Sequence, residues 1–189
     1  DRLTELEFEL PLAGGDAPSN GGVADLTLGD VAPVLRRHLS PDDPFAGYAD
    51  RLAAPAFAGL PLRGYLTGSL DAVLRLPGPR YLVADYKTNW LGDLDASDAL
   101  SLWDYRPSAL DEVMAGSDYP LQALLYTVAL HRFLRWRQPG YRPETHIGGV
   151  LYLFVRGMAG PQTPVVAGRP CGVFAWTPPS TLVTGLSDL

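Results

Sequence analysis

Three side chains in this sequence could do chemistry together: Asp71, Asp85 and Lys87. Gly68-Ser69-Leu70-Asp71 is followed fourteen residues later by Asp85-Tyr86-Lys87. Residues two apart on a strand share a face, so Asp85 and Lys87 point the same way. A hairpin turning at Pro77-Gly78-Pro79 brings Asp71 beside Asp85. Two adjacent carboxylates repel, which raises one pKa unless a cation binds between them. Mg²⁺ is the natural candidate, with Mn²⁺ possible, because both are hard ions that take oxygen ligands. Such an ion polarises a phosphoryl oxygen and acidifies a bound water. A lysine beside it can orient that water, stabilise the developing charge, or act as base if burial lowers its pKa from about 10.4. Phosphodiester hydrolysis needs this equipment. An Asp-x-Lys is also what a solvated strand end or a surface ion pair looks like, and spacing alone leaves both open. Gln122 and Tyr126 lie at i, i+4 on one helical face. Their amide, hydroxyl and ring suit a nucleic-acid strand, and equally the polar shoulder of an amphipathic helix.

The elements that must position these groups can be read from periodicity. Leu6, Phe8 and Leu10 alternate with Glu5, Glu7 and Glu9, which predicts a half-buried strand over Leu3–Leu12. Gly14-Gly15 and Gly21-Gly22 mark a loop over 13–22. A helix is expected over Asp25–Leu39, capped by Asp25 or Thr27 and ending in Arg36, Arg37 and His38, and a short helix around Tyr48–Ala54. Arg63–Leu76 and Tyr81–Lys87 read as the two strands of the hairpin, and Ser108–Ala115 as a helix stopped by Gly116. Tyr119–Gln138 is the clearest helix, with Pro120 in its first turn and Pro139-Gly140 beyond its end. Ile147–Val155 reads as a buried strand, Cys171–Trp176 as a last strand, and Pro178–Leu186 as a terminal helix. This order gives a mixed α/β sheet flanked by helices.

Glu5-Leu6-Glu7-Phe8, Gly68-x-x-Asp71, Asp85-Tyr86-Lys87 and Gln122-x-x-x-Tyr126 resemble the nuclease motifs of the RecB family, a branch of the PD-(D/E)xK superfamily. The likeness extends through Asp85-Tyr86-Lys87-Thr88-Asn89-Trp90-Leu91-Gly92, Leu125–Arg132 and Gly148–Gly157, and is patchy across 13–60. It implies a restriction-endonuclease-like fold and a single C-terminal-type nuclease domain over 1–189, with 13–60 as an irregular, helical insertion. The resemblance makes Asp71, Asp85 and the Tyr86 main-chain carbonyl the metal ligands and Lys87 the catalytic lysine. Gln122 and Tyr126 would organise the site, with Glu5, or alternatively Glu7, as a further acidic member. It implies a Mg²⁺-dependent exodeoxyribonuclease attached to a helicase in double-strand break repair and recombination. DNA and RecC-like and RecD-like subunits would be its partners. The alternative within the same resemblance is a non-catalytic, nuclease-like scaffold for subunit assembly and DNA threading. The family also carries a metal-binding His on a helix before the first strand, which no residue here matches, so the chain is expected to be a fragment that cuts poorly, or not at all, when isolated.

Composition narrows the setting. The chain has 189 residues, 47% hydrophobic and 19% charged, enough for a core and unlike a disordered tail. Its net charge of −6 argues against a free-standing nucleic-acid binder, and is compatible with carboxylates that hold a cation. Cys171 is its one cysteine, which excludes an internal disulfide. No apolar run reaches the roughly 20 residues of a membrane span, and no signal peptide is visible, so a cytoplasmic setting is expected. No Gly-x-x-x-x-Gly-Lys-[Ser/Thr] loop and no Gly-x-Ser-x-Gly elbow occur. Arg132, Arg135, Arg137 and Arg142 form the dense basic stretch, with His131 on the same expected basic face. His38 reads as a helix-end charge and His146 as the residue before a buried strand; none of the three histidines is expected to bind metal. Trp90 and Trp103 suit base stacking or, more simply, packing in a core or subunit interface.

Overall fold

The computed structural model describes residues 1–12, 26–92 and 99–189. Along the chain lie β1 (Arg2–Pro11), α1 (Val31–His38), α2 (Tyr48–Ala53), α3 (Pro55–Ala58), β2 (Tyr65–Arg75) and β3 (Tyr81–Lys87). They are followed by α4 (Pro107–Gly116), α5 (Tyr119–Arg137), α6 (Pro143–His146) and β4 (Ile147–Phe154). Then come β5 (Val165–Val166), β6 (Arg169–Pro170), β7 (Val173–Trp176) and α7 (Ser180–Ser187). The loop expected over 13–22 and Asp25 lie outside the described residues.

Five strands form one sheet in the order β1-β2-β3-β4-β7. β3 and β4 run parallel, and the other neighbours run antiparallel. A parallel pair needs a long crossover, and the stretch carrying α4, α5 and α6 provides it. The result is a mixed α/β sheet flanked by helices, the restriction-endonuclease-like architecture expected from the sequence. β5 and β6 form a separate two-residue hairpin that the sequence pattern did not reveal.

β3 is the strand that matters most for the site. Val83, Ala84 and Asp85 are all buried, because sheet neighbours flank the strand and α5 packs on it. Its register with β4 slips between Tyr81 and Leu82, where the partner jumps from Ile147 to Gly149. Gly149 takes φ 117°, and a Cβ there would come 2.4 Å from the Trp176 carbonyl oxygen. Only glycine fits this approach of β4 to the end of β7.

α5 spans nineteen residues, starting with Pro120 in its first turn and ending before Pro139-Gly140, where Gly140 adopts φ 69°. Ala123, Leu124, Val128, Leu130 and Leu134 are buried against the sheet and α7. His131 departs from its expected place on a basic face. It is buried, and its Nδ1 lies 2.7 Å from the Tyr141 hydroxyl. Arg132 also turns inward: its guanidinium donates to Ser187 Oγ (3.1 Å), the Ser187 carbonyl (2.8 Å) and the Pro11 carbonyl (3.1 Å). The basic stretch is therefore partly structural, since one of its arginines ties α5 to the end of α7 and to β1. His38, in the last turn of α1, meets Thr181 Oγ1 at 3.0 Å, and His146 is buried against the Arg142 backbone. α1 follows a one-turn 3-10 helix whose start is held by Thr27, with both its N–H and its hydroxyl donating to Asp30.

Candidate functional site

β2 and β3 bring the two carboxylates together. Ala72 pairs with Ala84, so the same antiparallel register sets Asp71 opposite Asp85 one step further on. At that step the backbone pairing gives way to a side chain, and Asp71 Oδ2 accepts the Tyr86 N–H at 2.9 Å. On a strand the N–H and C=O of one residue leave on the same side. The Tyr86 carbonyl therefore faces the Asp71 edge too.

Lys87 is held from four directions. Its Nζ lies 2.7 Å from Asp85 Oδ2 and donates to Gln122 Oε1 at 2.9 Å. The rings of Tyr119 and Tyr152 lie beneath it, with centroids 4.3 and 5.3 Å away. Gln122 Nε2 then donates to the Tyr126 hydroxyl at 2.8 Å. The Tyr126 hydroxyl in turn stands close enough to Asp85 for each group to shift the other's pKa. The i, i+4 pair on α5 thus links the lysine to a hydroxyl beside the carboxylate.

Electrostatics mark Asp85 as the strained member. Burial pushes its carboxyl above the ordinary 3.8; the Lys87 ammonium opposes this, the Asp71 charge adds to it, and the Tyr126 hydroxyl lowers it slightly. Asp85 Oδ2 is buried and, although close to the ammonium, receives no hydrogen bond of good direction. Tyr126 is pushed up to about 12, first by burial and then by the charges of Asp85 and Asp71. A buried carboxylate, a second carboxylate beside it and a main-chain carbonyl on the same edge make a set of hard oxygen donors. Among the described residues no third Asp, Glu, His or Cys completes a cluster with them. The set fits Mg²⁺, which commonly binds through one or two carboxylates and keeps waters and substrate oxygens in its other positions.

Glu5 stands across β1–β2 from Asp71, and the ladder breaks there: Thr4 pairs with Ala72 and Leu6 with Leu70, but the residue between them does not pair. Glu5 adopts φ 55°, the left-handed region that favours glycine, and is exposed. Such strain in a non-glycine residue concentrates at functional sites. Glu7 pairs regularly with Ser69.

The motif glycine and phenylalanine have a packing reason. A Cβ on Gly68 would lie 2.7 Å from the Phe8 ring, so Phe8 occupies the space a side chain would take. The Phe8 ring meets Tyr126 edge-on at 6.3 Å. Gly68 thus leaves room for the Phe8 ring, which packs against Tyr126.

Sequence reasoning missed Tyr119 and Tyr152. Tyr119 precedes Gln122 by three residues, so the helical spacing that singled out Gln122 also marked it. Tyr152 becomes visible only with the parallel register, in which it pairs with Asp85. Trp90 and Trp103 are not core residues; they are 48% and 55% exposed.

No family model matches the chain. Among curated proteins, it is 61% identical over all 189 residues to the RecBCD enzyme subunit RecB of Mycobacterium tuberculosis. It is 57% identical over the same length to that of Mycolicibacterium smegmatis, and 44% identical over 172 residues, 90% of the chain, to that of Escherichia coli. The chain spans 16%, 17% and 12% of the length of these three relatives. With its whole length matched at this identity, and with the motif residues gathered as described above, the chain belongs to the RecB family.

Proposed function

We propose that this chain is the nuclease domain of a RecB-type subunit and hydrolyses DNA phosphodiesters with a bound divalent cation, Mg²⁺ or Mn²⁺. The observation that carries the reading is the buried Asp85 carboxylate, set beside Asp71 by the β2–β3 register and 2.7 Å from the Lys87 ammonium. Asp71, Asp85 and the Tyr86 carbonyl would hold the ion. When bound, it supplies Lewis-acid polarisation of the phosphoryl oxygen and an acidified water. Lys87 presents a fixed positive charge where negative charge builds on the phosphoryl group. Gln122 and the two tyrosine rings keep that ammonium in place, and the Tyr126 hydroxyl stands beside the Asp85 carboxylate. Glu5 supplies further negative charge at the Asp71 edge.

In this reading the parent protein is a subunit of a RecBCD-type complex, with RecC-like and RecD-like partners, acting on DNA ends in repair and recombination. The name of the relatives, RecBCD enzyme subunit RecB, supports the complex. The setting is the cytoplasm, where chromosomal DNA lies in bacteria. No helix among the described residues is long and apolar enough to cross a membrane.

The test is cleavage of linear DNA by the full-length protein in its complex. Asp85→Ala and Lys87→Ala should each reduce Mg²⁺-dependent cleavage by at least about 10²-fold, the scale for loss of an electrostatic catalytic group, while the complex still assembles. Unchanged cleavage in both variants would leave a nuclease-like scaffold as the better description.

A further inference from the structure

The parallel pairing of β3 and β4 places the segments leaving their C-terminal ends side by side. Lys87 pairs with Phe154, so Thr88–Trp90 emerges next to Val155–Gly157. Arg156 closes the seam: its Nε donates to the Thr88 carbonyl at 2.9 Å, and its guanidinium carbon lies 5.8 Å from the Trp90 ring centre. The 3-10 turn Leu102–Tyr105 packs against the turn Val155–Gly157 and brings Trp103 to the same region. The Arg106 guanidinium lies 5.9 Å from the Trp103 ring and donates to its carbonyl. Tyr86, Trp90, Trp103, Val155 and Met158 are all exposed on these segments.

The backbone that carries these indoles is tied down by hydrogen bonds. The Asn89 carbonyl accepts from the Tyr105 hydroxyl at 2.7 Å, and its side-chain oxygen accepts from the Tyr119 hydroxyl at 3.0 Å. Tyr119 is the ring beneath Lys87. The Trp103 turn is fixed by Ser101, whose N–H and hydroxyl both donate to Asp104. Trp90 follows Lys87 by three residues, a reach of roughly 10 Å along an extended chain. Two exposed aromatic faces, each with a guanidinium at its side, thus stand outside the carboxyl end of a parallel strand pair, where open α/β sheets receive ligands. Stacking faces combined with backbone-neutralising cations are what a single nucleic-acid strand recognises without regard to sequence.

We infer that Trp90 and Trp103, with Arg106 and Arg156, form a stacking platform that holds single-stranded DNA leading to or from the carboxylate–lysine cluster. The inference takes its ligand from the nuclease reading above. It is tested in the full-length protein within its complex, using a short single-stranded oligothymidylate. Trp90→Ala and Trp103→Ala each raise KM about tenfold, within the range for loss of one base stack, with kcat within about twofold of wild type. Trp90→Phe keeps most of the affinity. Arg106→Gln and Arg156→Gln each reduce the slope of log affinity against log salt by about 0.7, the value for one phosphate on a single strand. Unchanged KM in the double tryptophan variant overturns the platform. So does loss of subunit assembly in that variant, which would make the surface a protein interface. Crosslinking of a 4-thiothymidine strand to Trp90 and Trp103 in the Asp85→Ala variant separates the two readings. Crosslinks together with a wild-type protein that never cleaves support the platform and remove the nuclease reading. Cleavage with no crosslinks and an unchanged KM does the reverse.

Discussion

Asp85 and Lys87 form a buried pair whose energetics depend on both members. Removing one partner of such a pair leaves the other charged and unsolvated, at a cost of about 3–5 kcal/mol. Lys87→Met should therefore destabilise the domain by about 3 kcal/mol at pH 7, read by urea unfolding without divalent cation. The sign of the pH dependence follows from Asp85. Its folded pKa is raised above 3.8 by burial, so it favours the folded state below 3.8 and progressively loses that contribution as pH rises through the folded value. The Lys87→Met penalty should shrink as the pH is lowered into the acid range, because a protonated Asp85 no longer needs a cation. A penalty independent of pH would mean that Asp85 is not the group left stranded. At this scale the convergence of Asp71, Asp85 and Lys87 was legible, because strand period and one hairpin turn determine it. The four-sided seat of Lys87 was not, because Tyr152 reaches it through a parallel pairing that no local pattern encodes.

β4 and α5 set the geometry of the site, and each contains a residue that tests its part. Gly149→Ala forces a side chain into backbone at a positive φ, and nothing nearby can move cheaply. It should cost about 2–4 kcal/mol. Gly68→Ala meets the movable Phe8 ring, so it should cost less in stability and act mainly by displacing Tyr126. Thermal melts of both variants alongside cleavage assays separate the two effects. In α5, burial lowers the pKa of His131, with the nearby Arg132 charge helping and Asp188 opposing. A base with a depressed folded pKa contributes stability above its unfolded value, and that contribution is lost as pH falls from about 6.5 towards the folded value. His131→Gln should flatten this acid-side loss below about pH 6.5, measured by urea unfolding across a pH series. The long elements were readable because their apolar periods are strong. The β5–β6 hairpin was not, since two-residue strands carry no period. His131 was misread because a histidine beside arginines looks exposed until Tyr141 and α7 cover it.

The molecule as a whole is acidic, at −6, and Arg132 is committed to holding α7 and β1 in place. Electrostatics therefore give the isolated chain little general affinity for a polyanion. Gel retardation of duplex DNA by this chain alone should be weak at about 0.15 M salt and should improve with Mg²⁺, which neutralises the carboxylate edge. Strong retention without divalent cation would mean that a local basic surface outweighs the overall acidity. The direct measurement of the central claim is the single-turnover cleavage rate of linear DNA by the full-length protein in its complex. It is taken against free Mg²⁺ for the wild type and for an Asp71→Asn/Asp85→Asn variant. The expected result is a saturable rise from no cleavage in chelator for the wild type and a flat line for the variant. Equal, Mg²⁺-responsive cleavage in both would contradict the assignment of these two carboxylates as the seat of the cation.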